Sequence, residues 1–155
     1  GWDVPNLELK PYKNGNQEEI KFIYNLKKEV YQKYVEKIYG EWNEENQKKL
    51  FNKFMKENSK NIELIYLKEK LVGFYNGKTK DDKSFEIGNI CIIPEYQNKG
   101  IGTAVLKEIL FENKDKDIIL QCFKKNPASE LYERMGFEKI IETQTHYIMK
   151  KYWRY

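Results

Sequence analysis

A run of strand-forming residues, Phe85-Glu-Ile-Gly-Asn-Ile-Cys-Ile-Ile93, meets Pro94, and a short loop later Gly100-Ile-Gly102 opens an apolar helix that reads to Asn113. Proline has no N–H to give a sheet ladder, so the strand stops there. The helix carries Ile101, Val105 and Ile109, with Leu106 and Leu110 beside them, at three- and four-residue steps. A strand that hands the chain to a glycine-opened helix is a junction that a mixed α/β domain would contain.

The remaining periods agree. Leu7–Lys10 alternates before Pro11 and reads as a short strand. Residues 17–39 read as a helix with Ile23, Leu26, Val30 and Tyr34 on one stripe, ended by Gly40. Asn43 caps a second helix to about Asn58, with Leu50, Phe51 and Phe54 expected inward. Then the period falls to two. Residues 62–67 and 71–78 read as strands, the second broken by Gly73 and Gly77. The apolar run 117–123 reads as a buried central strand. Pro127 opens a short helix closed by Gly136, and residues 137–142 and 145–152 form a closing strand pair.

The order β-α-α-β-β-β-α-β-α-β-β is one mixed α/β domain over residues 1–155. Its length suits a single core, burying roughly two-thirds of the unfolded surface without a staple. The chain lacks an initiator Met, so residues 1–5 read as a tag remnant or flexible start. One His (His146) and two distant Cys (Cys91, Cys122) give no zinc-ligand spacing, so no metal is expected. The cysteine count makes a reducing compartment, the cytoplasm, the default. No apolar run reaches the roughly 18–20 residues of a membrane span, and no signal peptide is visible. The net charge is only +4, and Arg134 and Arg154 are the only arginines, which disfavours a nucleic-acid reader.

The segment Gln97-Asn-Lys-Gly100-Ile-Gly102-Thr103 has the chemistry of an anion cradle. Helix N-terminal amides lack intrahelical partners, the helix dipole adds positive potential, and glycine admits a phosphate close to the backbone. Lys99 adds a charge. Two nucleotide signatures fail: a dinucleotide G-x-G-x-x-G needs glycine where Val105 stands, and a P-loop Gly-Lys-Ser/Thr is absent.

Gln97-x-x-Gly100-x-Gly102, after a strand ending at Pro94, resembles the signature of the GNAT superfamily, the acyl-CoA-dependent N-acetyltransferases. Asn126-Pro-Ala-Ser-Glu-Leu-Tyr132-Glu-Arg-Met-Gly136-Phe137 is similar to that family's second cofactor motif, one residue shorter than many members have it. The resemblance runs from about Leu7 to Tyr152. It implies a central, mostly antiparallel sheet with a splayed parallel strand pair and helices on both faces.

It also implies acetyl-CoA as cofactor. The pyrophosphate would lie on Gln97, Asn98, Lys99, Gly100, Ile101, Gly102 and Thr103. The pantetheine arm would run along the backbone of Ile90, Cys91 and Ile92 and meet Asn126. An amine acceptor would attack the thioester directly. Tyr132 matches the family tyrosine that protonates the leaving thiol, and the amide nearest Ile92 would meet the oxyanion. Glu86 and His146 are the candidate bases, Glu86 by its distance from Gln97 and His146 because histidine titrates near neutrality. The acceptor pocket would lie between the first two helices and the last strands, with Trp42 beside Glu41 or Glu45 facing a cationic amine and His146 nearby. Cys91 and Cys122, in apolar strands, are not expected to be nucleophiles. The partner is a small-molecule or protein amine, not a membrane, and a homodimer is compatible with the family. The rival reading is an acyl-CoA-binding sensor or interaction module with little activity.

Overall fold

The computed structural model describes residues 4–153. Most of the stretch read as a flexible start, and Arg154, lie outside them; within that stretch, Val4 packs against the core. The elements are β1 (Leu7–Pro11), α1 (Gln17–Tyr39), α2 (Glu44–Asn58), β2 (Ile62–Leu67), β3 (Lys70–Asp81), β4 (Ser84–Ile92), α3 (Ile101–Glu112), β5 (Asp117–Phe123), α4 (Ala128–Arg134), β6 (Glu138–Glu142) and β7 (His146–Lys151).

Local chemistry sets the helix ends. The side chain of Asn16 accepts from the Glu19 N–H and that of Asn43 from the Asn46 N–H, at 3.1 and 2.9 Å. Each cap is followed by two glutamates in the first turn, where the helix dipole favours them. Gly40 ends α1 with φ of 92° and returns its N–H to the Glu36 carbonyl.

One seven-stranded sheet runs β1-β2-β3-β4-β5-β7-β6, and its one parallel pair is β4–β5. Ile23, Leu26 and Phe51 of α1 and α2 cover one face, against Leu64, Phe74 and Cys91. Ile101, Val105, Leu106 and Ile109 of α3 cover the other, against Ile65, Ile87, Ile118 and Leu120. This is the layered, mostly antiparallel arrangement expected from the sequence.

Two details differ from the sequence reading. Strand β3 is continuous through Gly73 and Gly77, because these glycines mark close approach and not breaks: a Cβ on Gly73 would lie 2.3 Å from the Cys91 carbonyl oxygen. Leu50 is 53 % exposed and does not join the core. It sits on the flank of α2 that borders the cleft described below.

The break that matters lies in β4. Asn76 pairs with Asn89 but Gly77 pairs with Ile87, so Gly88 is an extra residue, a β-bulge. A Cβ on Gly88 would lie 2.3 Å from Asn76 Nδ2, so a side chain there would displace the Asn76 amide that holds Asn89. The bulge reverses the strand's facing: Ile87 packs toward α3, whereas Cys91 packs toward α1 and α2. The β4–β5 pairing spans Ser84↔Asp117 to Ile87↔Leu120 and goes no further. Beyond it the two parallel strands part.

Candidate active site

The parting opens a cleft of about 1150 Å³ between α1, α2 and the ends of β4, β5, α4 and β7. Ile90, Cys91 and Ile92 line it from β4, and β3 pairs with these residues on one edge only. Gln97 continues the wall, its side-chain amide donating to the Ile92 carbonyl at 2.9 Å and tying loop to strand.

Beyond Gln97 the loop turns into α3 through two left-handed residues, Asn98 (φ 60°) and Gly100 (φ 83°). The first backbone bond of the helix runs from the Ala104 N–H to the Gly100 carbonyl, 2.9 Å. The N–H groups of Ile101, Gly102 and Thr103 precede it and have no intrahelical acceptor. Gly102 is the informative glycine. Its φ is not in the left-handed range, and a Cβ built on it meets nothing within 4 Å. Neither backbone nor neighbours demand glycine there; the space it leaves opens beside the free amides, which is the fit an approaching phosphate needs. Lys99 lies near, its ammonium over the Tyr96 ring.

Asn126 stands at the far wall. Its Oδ1 accepts from the Ala128 N–H at 2.9 Å at the start of α4, and the residue lines the cleft, so its Nδ2 remains available as a donor. Six residues on, Tyr132 reaches the cleft and packs against Phe137. Burial pushes its phenol up to about 12, with the Cys122 and Cys91 thiols adding to the shift. Tyr132 is therefore a protonated donor at any physiological pH.

Glu86 and His146 line the same cleft. Glu86 is ion-paired with Lys80 at 3.1 Å. The His146 ring packs on Phe123 at 4.2 Å between centroids, and Phe123 stacks in turn on Tyr34 at 5.0 Å. Burial lowers the His146 pKa below 6.5, so the ring is mostly neutral at pH 7. Its Nδ1 lies 2.7 Å from Thr145 Oγ1. With Nδ1–H donating to that oxygen, Nε2 is free to accept a proton.

Trp42 lines the cleft, but Glu41 and Glu45 lie outside its lining, on exposed surface. The carboxylate beside Trp42 is Glu44. It accepts from Trp42 Nε1 (2.8 Å), Tyr24 Oη (2.5 Å) and Lys28 Nζ (2.8 Å). These donors, Lys28 foremost, hold its carboxyl down to about 2. Lys28 also lies 5.8 Å from the Trp42 ring centre. The aromatic-and-carboxylate seat expected for a cationic acceptor is thus filled by the chain's own lysine.

Sequence reasoning missed a half-buried polar chain that runs from the cleft wall into the sheet. Tyr31 Oη donates to Asn89 Oδ1 at 2.8 Å, and Asn89 Nδ2 donates to Asn76 Oδ1 at 2.7 Å. The Cys91 thiol contacts Tyr31 Oη at 3.9 Å. Burial raises the Cys91 thiol to about 11, so it stays protonated and is no nucleophile. A usable signal was present in the spacing Tyr24, Lys27, Tyr31, Tyr34, a three-and-four rhythm of aromatic and basic residues beside the core stripe of α1. Among the described residues no group of three or more His, Cys, Asp or Glu could hold a metal, and no helix is long and apolar enough to cross a membrane.

Residues 21–137 match the sequence pattern of the acetyltransferase (GNAT) family. Among curated proteins, the chain is similar to a [ribosomal protein bS18]-alanine N-acetyltransferase of Haemophilus influenzae, 31% identical over 81 residues, covering 50% of this chain and 55% of that one. The chain thus matches about half the length of that relative. Among solved structures, a protein of Pyrococcus horikoshii superimposes with TM-score 0.74 and 21% identity, over 96% of this chain and 99% of the other. The PaiA N-acetyltransferase of Thermoplasma acidophilum, in complex with coenzyme A, does so with TM-score 0.67 and 19% identity, over 95% and 99%. At these identities the structural likeness establishes a shared fold.

Proposed function

Because the chain belongs to the acetyltransferase (GNAT) family, we propose that it transfers an acetyl group from acetyl-CoA to a primary amine bound in the same cleft. One observation carries this reading: the α3 amides beside the open space at Gly102 follow, within a few residues, Gln97 in the wall of a cleft that also holds a half-buried, protonated tyrosine; residues 98–103 themselves lie outside that cleft's lining. The Thermoplasma structure contains coenzyme A, which supports the same ligand here. Acetyl-CoA supplies the acetyl group as a thioester; the amine's N–C bond forms as the C–S bond breaks, and free coenzyme A leaves.

The chain's residues divide the work. The amides of Ile101, Gly102 and Thr103, with Lys99, bind the pyrophosphate. The free edge of β4 at Ile90–Ile92 and the Nδ2 of Asn126 hold the pantetheine amides, and the backbone near Ile92 faces the thioester carbonyl. Tyr132 Oη gives its proton to the departing sulfur. The acceptor arrives as an ammonium and must lose a proton first. For a lysine-like amine only about one part in 2,500 is neutral at pH 7, a cost of roughly 4–5 kcal/mol; an α-amino group near pKa 8 costs about 1.4. The Haemophilus relative is named for an alanine amino group, which supports the easier case of an α-amine on a small molecule or protein.

His146 Nε2 is the first candidate for the base. Activity through a base rises as pH climbs through its pKa, and burial sets the His146 pKa below 6.5. We expect kcat/KM to show a limb below pH 6.5, distinct from the acceptor's own ionisation at higher pH. His146→Gln should abolish that limb and lower the plateau by about 10- to 100-fold. A limb that survives in H146Q and disappears in Glu86→Gln would transfer the role to Glu86.

Release of free coenzyme A from acetyl-CoA, measured across a panel of primary amines, tests the activity. Tight acetyl-CoA binding with no release on any amine would overturn it in favour of a binding module.

A further inference from the structure

The lysines of the cleft wall are unequally committed. Lys28 is fixed to Glu44 at 2.8 Å and Lys80 to Glu86 at 3.1 Å. Lys27 is different. It lines the cleft from the middle of α1, yet among the described residues no carboxylate lies within 4 Å of its ammonium. Its Nζ rests 3.8 Å over the Phe54 ring and 5.8 Å from the Tyr31 ring. Burial pulls its pKa below the ordinary lysine value. An ammonium held among rings, without a counter-ion, gains most from an anion brought to it. On the same wall, the cation seat at Trp42 and Glu44 is already filled by Lys28.

We propose that Lys27 is the anchor for a carboxylate on the amine acceptor, so that the acceptor is an amino acid, or an amine bearing an equivalent acid group, and not a polyamine. This rests on the transferase reading above. It makes Lys27 a specificity-determining residue: it touches the acceptor's acid group while the amine faces the thioester. The Phe54 ring at 3.8 Å and the Tyr31 ring at 5.8 Å hold the ammonium in place, so its position is set before the acceptor arrives.

The test uses the ω-amino carboxylates from glycine to 6-aminohexanoate, each paired with its primary amide. Coenzyme A release gives kcat/KM for every compound with the wild type, Lys27→Met and Lys27→Arg. The amine's own basicity differs within a pair but cancels when the carboxylate-to-amide ratio is compared between variants. At one chain length the wild-type ratio should exceed that of K27M by at least about tenfold, while K27R retains most of it. Ratios equal in wild type and K27M at every length would overturn the proposal while leaving the transferase reading intact. So would a K27M variant that keeps the ratio and changes only the pH profile, because Lys27 would then be a base. Should no amine release coenzyme A, calorimetry with the N-acetylated forms of the same pairs decides separately. Carboxylate binding that needs Lys27 would support the anion seat while the transferase reading falls; no binding, or binding indifferent to K27M, would overturn the seat as well.

Discussion

Tyr132→Phe is expected to lower kcat by about 100-fold or more while acetyl-CoA binds as it does to the wild type. The phenol is the one hydroxyl that α4 carries into the cleft, and burial keeps it protonated up to about 12. A thiolate that departs without a proton donor carries a full charge that the cleft stabilises less well than bulk water, and the barrier rises accordingly. The ring itself packs against Phe137, and phenylalanine keeps that contact, so folding and cofactor affinity should be spared. Steady-state kinetics beside calorimetric titration with acetyl-CoA separates the two. Equal losses in kcat and in binding would mean that Tyr132 merely supports the ligand. Because the phenol ionises so high, kcat should show no descending limb attributable to it below about pH 10.

Gly102→Leu should act in the opposite sense. Nothing in the protein lies within 4 Å of a Cβ at that position, so the folded chain accepts the larger residue. Leucine also forms helix better than glycine, by roughly 0.5–1 kcal/mol, so thermal stability should hold or rise slightly. The side chain would, however, fill the space beside the amides of Ile101–Thr103. Losing two charge-assisted hydrogen bonds of about 1.5 kcal/mol each weakens acetyl-CoA binding by about 100-fold. Calorimetry and a melting curve check both halves. Unaltered affinity would move the pyrophosphate away from this loop, and a large drop in melting temperature would show a packing role for Gly102 that its surroundings do not indicate.

The parts of the molecule that follow local rules were readable in the sequence. The caps at Asn43 and Gly40, the stop at Pro94 and the glycine-opened helix depend on residues a few positions apart, and each appears where spacing puts it. Tyr132 and Asn126 were found through a motif whose members lie close in sequence. Features built by distant strands were not readable. The bulge at Gly88 lies opposite Asn76 and Gly77 across the hairpin, and it puts Ile87 and Cys91 on opposite faces of the sheet. Glu44 was passed over for Glu41 and Glu45 because the choice among neighbouring glutamates is made by Tyr24 and Lys28, some twenty residues earlier in α1. Leu50 was read as core because an apolar residue on a helix looks the same whether it faces packed protein or an open cleft.

The short stitch between β4 and β5 has a consequence for how the molecule holds together. Three strands, β5, β7 and β6, are joined to the other four by pairing that ends at Ile87 and Leu120. The domain is in effect two subsheets sewn along part of one seam. Beyond that stitch the facing main-chain edges make no ladder with each other, so the seam is where solvent enters most readily and where opening is easiest. A ligand lying along the seam binds only the joined form, so it raises the melting point by mass action, and its main-chain amides shield the strand edges that water otherwise reaches. Amide hydrogen exchange at Ile90–Ile92 should therefore slow markedly with acetyl-CoA, while Ile65 and Val72, fully buried deep in the four-stranded half, change little. In this architecture the cofactor is also the missing thread of the sheet.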